Sequence, residues 1–291
     1  MASPPSSVLR PPSLVLERRI EEASLNAWPA LQQILFDGWV LRFSRGYTKR
    51  ANSVNPLYES GLDVQEKIAR CEQLYEERGL APVFRLTPLA SPVNLDEALA
   101  AHGYEPIDPT LVLHLDLSDE TRGKPGGDTP NPSTEARRRG VATTSAPRNG
   151  SFTEAALDEW LETFGRLHGA QVEQQHVHRA ILDLIPARRL LAALIVDGIA
   201  VACGLGVLEA DCFGLFDLVT GPVHRRKGYG TALVSAMLQW AEGQGASLAY
   251  LQVMATNEPA QQLYAKLGFR ELYQYWYRVR PARGLLNEPA Q

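Results

Sequence analysis

Residues 188–220 read RRLLAALIV, then DG, then IAVACGLGVLE, a turn at Glu209 to Asp211, and CFGLFDLVT. Asp197-Gly198 between two branched, apolar runs is the strongest short hairpin signal a sequence carries. A two-residue turn joins only antiparallel strands, so this stretch predicts an antiparallel meander of three strands. Beyond Thr220 the period changes: the basic, glycine-containing loop RRKGYG leads into a helix from about Thr231 with Leu233, Met237 and Trp240 or Ala241 on one face. A strand (LAYLQVMAT), a helix (EPAQQLYAKLG, with Pro259 in its first turn) and a closing strand (YQYWYRV) complete the half. Upstream, 152–168 has apolar residues at helical spacing after Ser151, a suitable N-cap, and VHRAILDLI continues as a second helix closed by Pro186. The predicted class is α/β (mixed α+β), layered, with antiparallel hairpins feeding a strand–loop–helix–strand core.

The first half repeats the later part of that order. GWVLRFS and ANSVNPL read as strands, VQEKIARCEQLYEERG as a helix and APVFRLTP as a strand; LDEALAAHGY is then a helix and TLVLHLDL a strand. LAAHGYEP aligns with YAKLGFRE, placing Gly103 on Gly268 and Tyr104 on Phe269, as a diverged internal repeat would. The alternative is two unrelated α/β domains. Residues 118–134 are rich in Gly, Pro, Asp, Ser and Thr with almost nothing apolar, and cannot offset the entropy of ordering. The expected layout is therefore a tail at 1–14, a domain at 15–117, a linker at 118–134, a second domain at 135–280 and a tail at 281–291.

Composition narrows the partners. A net charge of -4 argues against a general nucleic-acid binder, while residues 224–227 (HRRK) supply one local basic pocket. Cys71, Cys203 and Cys212 have neither knuckle nor redox spacing and read as reduced, buried thiols of a cytoplasmic protein. His176 and His178 are two apart on a predicted helix, do not share a face, and make a poor metal pair; no metal site is expected. No run reaches transmembrane length and the N-terminus has no uninterrupted apolar core, so a membrane partner is not expected either. The ARRRG run at 136–140 reads as solvated charge.

The glycine loop is the chemical feature. A phosphate-binding Walker loop fails at Arg226, and a dinucleotide fingerprint fails at Leu233. The pattern that remains is Arg-x-x-Gly-x-Gly, filled by Arg225, Gly228 and Gly230 between a strand and a helix. Glycines let successive N–H groups point inward, and the helix start adds unpaired donors and a dipole worth about 0.3–1 kcal/mol per exposed anionic charge. Arg225, Arg226 and Lys227 can neutralise a diphosphate. Downstream, Asn257 ends a strand and Tyr264, seven residues later on a helix, can face the same cleft.

These segments resemble the GCN5-related N-acetyltransferase (GNAT) superfamily: LFDLVT, RRKGYG and its helix, LQVMATN, and above all NEPAQQLYAKLGFRE. The first half resembles the same fold, so the whole resembles a tandem member, each domain a mostly antiparallel twisted sheet with flanking helices. The resemblance implies acetyl-CoA as cosubstrate and direct attack of an amine on its thioester. It implies that the amides around Arg226, Lys227, Gly228, Tyr229, Gly230 and Thr231 hold the pyrophosphate, and that the backbone of Leu218, Val219 and Thr220 pairs with the pantetheine arm. Asn257 would contact that arm, and Tyr264 would stand by the sulfur as general acid. The first half lacks Arg-x-x-Gly-x-Gly and has Leu99 where Tyr264 falls, so it is expected not to bind CoA.

The acceptor amine must be neutral to attack. That costs about 1.4 kcal/mol at pH 7 for an α-amine and roughly 4–5 kcal/mol for a lysine. Some branches that acetylate peptide α-amines carry a Glu five residues before the Asn; this chain has Gln252 there, which takes no proton. Asp217 is the nearest alternative carboxylate, as a base acting through water or as a hydrogen-bonded strand carboxylate. The expected acceptor is a primary amine of a small molecule or amino acid. The competing readings are a non-catalytic acyl-CoA sensor and an acetyltransferase acting on protein termini or lysines.

Overall fold

The computed structural model describes residues 14–118, 150–169 and 172–281. The expected linker beyond Ser118, the charge run at 136–140, and the tails before Leu14 and after Pro281 lie outside the described residues. Compactness divides the chain inside two strands: one unit comprises 1–110 with 273–291, the other 111–272.

In the first unit a helix, α1 (Val15–Ala27), precedes the hairpin β1 (Gln32–Phe36) and β2 (Trp39–Phe43). Asp37 and Gly38 form its turn with φ of 42° and 81°, the left-handed conformations a tight hairpin needs. The short β3 (Val54–Asn55), α2 (Val64–Glu76), β4 (Val83–Leu86) and α3 (Leu95–Ala101) come next, then β5 (Glu105–Asp116). Asp63 caps α2 by accepting from the amides of Gln65 and Glu66. The sheet runs β1-β2-β3-β4 and ends on the last strand of the chain, β11 (Arg270–Val279), antiparallel to β4 with Trp276 opposite Leu86 and Val279 opposite Val83. Arg278 makes a two-pronged pair with the Asp96 carboxylate at 2.8 and 2.9 Å, and the Trp276 indole donates to it at 3.1 Å. Those bonds fasten the C-terminal strand to the unit formed by the N-terminal half.

The second unit contains β6 (Gly150–Glu154), α4 (Leu157–His168), α5 (Val172–Asp183), β7 (Arg188–Val196), β8 (Ile199–Glu209), β9 (Cys212–Thr220), α6 (Tyr229–Gly243), β10 (Leu248–Met254) and α7 (Glu258–Lys266). Its sheet order is β5-β10-β9-β8-β7-β6; β9 and β10 are parallel, and the β6-β7-β8-β9 meander is antiparallel. Asp197 and Gly198 turn the β7–β8 hairpin with positive φ, as the sequence predicts. The start of the segment predicted as one helix over 152–168 is instead strand: Ser151 and Phe152 pair with Ile195 and Leu194, and the helix begins after Ala156. The strand is only five residues long, and its Phe152, which packs against the core, falls in step with the helical stripe beside it, so periodicity does not separate the two. Met237, Leu233 and Ala241 of α6 pack with Phe213, Leu215, Ala249, Leu251 and Tyr264 in the unit's core.

The repeat is visible in local geometry. After α3, Gly103 takes φ 79° and the Tyr104 amide donates to the Leu99 carbonyl at 3.0 Å. After α7, Gly268 takes φ 91° and the Phe269 amide donates to the Tyr264 carbonyl at 3.1 Å. Each left-handed glycine turns the chain into a long strand, β5 or β11, whose far end lies in the other compact unit. Both halves thus have the mixed α/β build, each with a mostly antiparallel sheet and flanking helices. Among the described residues, no helix is long and apolar enough to cross a membrane.

Candidate active site

The site begins with an irregularity in β9. Cys203 of β8 stands opposite Val219, but Leu205 stands opposite Phe216, so β9 carries one extra residue. Asp217 absorbs it with φ 46°. Strand alternation is broken there. A Cβ on Gly214 would meet the rings of Phe216 and Tyr250, whereas the Leu218 side chain lies on the α6 face, against Gly204, where Met237 also packs. Asp217 takes the opposite side, towards α5.

The second feature is a parting of two parallel strands. The β9–β10 register runs from Cys212–Leu248 to Leu215–Leu251 and ends there, although β9 continues to Thr220. The bulge and this parting leave the end of β9, from Leu218 to Thr220, facing a cleft. Leu218, Val219 and Thr220 line it, with Gly230, Leu233 and Val234 of α6 and Ala260, Leu263 and Tyr264 of α7. A strand edge of this kind can pair with an extended, amide-bearing ligand as another strand would.

The glycine loop sits at the end of that edge. After a 3₁₀ turn over Pro222–His224, Arg226 takes φ 63° and Gly228 takes φ 81° as the N-cap of α6. The helix starts at Tyr229, two residues earlier than the sequence suggests, so Tyr229, Gly230 and Thr231 are its first turn, whose amides have no partner within the helix. The two glycines do different work. Gly228 has open space where a Cβ would go and is favoured by its φ; at Gly230 a Cβ would stand 3.2 Å from Leu263 and 3.3 Å from the Thr220 hydroxyl, a close fit that those side chains would have to relieve. Arg225 donates from Nε to the Thr220 carbonyl at 3.3 Å, and Lys227 stands exposed beside Arg226. A cradle that an added Cβ would crowd, with basic side chains at its rim and a helix N-terminus behind it, fits a pantetheine-linked diphosphate.

Tyr264 closes the cleft. The residue is 8% exposed, and burial pushes its phenol up to about 12. Asn257 caps the same helix: its Oδ1 accepts from the Ala260 amide at 3.3 Å, which fixes the start of the helix bearing Tyr264. Gln261 donates to the carbonyls of Met254 and Ala255 at 3.2 and 2.9 Å, tying α7 to the end of β10.

Of the residues singled out in the sequence, Leu218, Val219, Thr220, Gly230 and Tyr264 line one cleft, and the structure adds a partner for Asp217. His178, which by spacing makes a poor metal pair with His176, lies buried on α5 with its Nε2 2.8 Å from the Asp217 carboxylate. Its ring meets Phe164 edge-on at 5.0 Å and Trp160 at 6.0 Å. Histidine and aspartate are far apart in sequence and on unlike elements. Only the helical stripe that places His178 inward with Ile181 and Leu182 could have pointed to it.

The chain is similar to known acetyltransferases in sequence and in fold. A family model described as "Acetyltransferase (GNAT) family" matches residues 152–269, and one described as "Probable histone acetyltransferase Rv0428c C-terminal" matches residues 17–125. An uncharacterized N-acetyltransferase, YobR, of Bacillus subtilis is 28% identical over 90% of this chain and 98% of its own. In fold, the chain is similar to a GCN5-related N-acetyltransferase from Kribbella flavida, with a TM-score of 0.65 and 18% identity over 92% of this chain and 96% of the other. It is also similar to a tandem GNAT protein from the clavulanic acid biosynthesis pathway, with a TM-score of 0.55 and 16% identity over 75% and 70% of the two chains. Matches to both halves, a full-length relative and the repeated helix–glycine–strand turn lead to one conclusion: residues 152–269 of this chain belong to the GNAT acetyltransferase family, within a chain whose fold is similar to that of GNAT proteins, a tandem one among them.

Proposed function

We propose that the second unit transfers an acetyl group from acetyl-CoA to the primary amine of a small molecule or amino acid. One observation carries the reading. The edge of β9 at Leu218, Val219 and Thr220 faces the cleft and leads straight into the glycine loop, and Tyr264 lines the same cleft. The backbone of Leu218, Val219 and Thr220 would hold the pantetheine arm, and the first-turn amides of α6, with Arg225, Arg226 and Lys227, the diphosphate. Asn257 serves the site as the cap of α7 and borders the arm. When bound, acetyl-CoA supplies an activated acyl carbon and a sulfur leaving group.

Tyr264 holds its proton throughout. A phenol at about 12 facing a thiolate near 8.5, if the CoA thiol resembles cysteine, makes full proton transfer uphill by about 5 kcal/mol. A hydrogen bond that strengthens as charge collects on sulfur requires no such transfer, and is the role proposed for Tyr264. Asp217 is the proposed base: an N–H bond of the acceptor ammonium breaks and its proton moves to the carboxylate, directly or through one water. The electron pair stays on nitrogen for attack.

The test is a screen of the full chain with acetyl-CoA against primary amines, amino acids and short peptides, read as free CoA released. The expected result is turnover with small amines or amino acids. Release confined to peptides would shift the reading to protein acetylation. Tight binding without release anywhere on the panel would favour the sensor.

A further inference from the structure

We infer that His178 is a positioning residue for deprotonation of the acceptor amine, acting through Asp217; this rests on the acetyl-transfer reading above. The two groups divide their tasks by exposure. The Asp217 side chain keeps 18% of its surface open and can meet a substrate, whereas that of His178 keeps 2% and cannot. His178 is walled in by the rings of Trp160 and Phe164, so its imidazole has little freedom to turn. From that fixed position Nε2–H donates to one carboxylate oxygen, Oδ2, at 2.8 Å. This leaves Oδ1 to accept the proton of the ammonium.

The backbone supports the assignment. A regular strand would alternate Asp217 onto the α6 face; the extra residue, at a non-glycine φ of 46°, sends it to the α5 face instead. A left-handed conformation at a residue other than glycine costs about 1–2 kcal/mol, and a strained residue next to the strand segment that lines the cleft is a sign of function. The other titratable group nearby is no substitute. The Cys203 thiol on β8 is pushed up to about 12, first by burial and then by the Asp217 charge, so it stays protonated. Arg166, which also acts on that thiol, donates to the Ala200 carbonyl at 3.2 Å.

The experiment compares the wild-type chain with His178→Leu and His178→Gln, using acetyl-CoA with ethylamine, 2-fluoroethylamine and 2,2-difluoroethylamine. These amines have nearly constant shape and falling basicity. Without His178, kcat/KM for ethylamine should fall at least about tenfold, and the deficit should shrink along the series, because a weakly basic amine is already neutral. Glutamine, which keeps an N–H donor, should recover part of the loss. Acetyl-CoA affinity by calorimetry should change less than about threefold in either variant. A deficit equal for all three amines, or a parallel loss of acetyl-CoA affinity, would reduce His178 to a structural residue and overturn the inference. Wild-type turnover that responds to no amine would overturn the parent reading and this one together.

Discussion

Tyr264→Phe is expected to lower kcat by about tenfold to a hundredfold while acetyl-CoA affinity stays within about threefold of wild type. The phenol is buried in the cleft wall and its ring packs edge-on to Phe269 at 5.9 Å, so phenylalanine keeps the packing and removes only the hydroxyl. A hydrogen bond that acts on developing thiolate charge is felt in kcat and hardly at all in ground-state binding. Because burial holds the phenol at about 12, it stays protonated well above neutrality. The pH–rate profiles of variant and wild type should therefore run parallel from pH 6 to about 9. Steady-state kinetics with an acceptor from the amine screen measures both. An unchanged kcat would remove Tyr264 from the chemistry.

Glu21→Ala should cost the first unit about 3–5 kcal/mol of stability. Arg85 is fully buried, and its guanidinium pairs with both oxygens of Glu21; the Tyr273 hydroxyl donates to the same carboxylate. Burial opposes the guanidinium's charge, yet Glu21 beside it overcomes that and holds its pKa well above the ordinary arginine value. Alanine would leave a buried cation whose Nε already has no hydrogen-bond partner. With urea m-values near 1–3 kcal/mol/M, the transition of this unit should move down by about 1 M or more. Fluorescence of Trp28 and Trp39 reports it, since both belong to the unit. The double change Glu21→Leu with Arg85→Met should recover most of the loss, because it removes both charges rather than orphaning one. A single variant as stable as wild type would mean that water reaches Arg85.

The cleft was legible in sequence because its parts are local. The Asp197-Gly198 hairpin, the glycine loop, the Pro259 helix start and the Gly103 and Gly268 turns each arise from a few neighbouring residues whose backbone preferences agree. The features that were not legible depend on distance or on faces. Residues 152–154 join an edge strand because Leu194 and Ile195 are available to pair, which periodicity cannot report. α1 carries its buried face on Ile20, Ala23 and Ala27 with charged residues between, and β1 is mostly exposed, so neither stands out as an apolar run. The ends of β5 and β11 lie in units that linker composition did not indicate, because Asp96, the anchor of Arg278, is 182 residues away along the chain. The His178–Asp217 pair needs both a bulge and a helix face, and no single spacing encodes the two together.

The most direct test of the central claim is calorimetric titration of the full chain with acetyl-CoA, repeated on Gly230→Val. The wild-type chain should bind one molecule per chain, in the second unit. The variant, whose added side chain would press on Leu263 and the Thr220 hydroxyl, should lose at least about tenfold in affinity, or 1.4 kcal/mol, while remaining folded. No heat from the wild type, two molecules per chain, or undiminished binding by the variant would contradict the assignment of the β9 edge and glycine loop as the acetyl-CoA site.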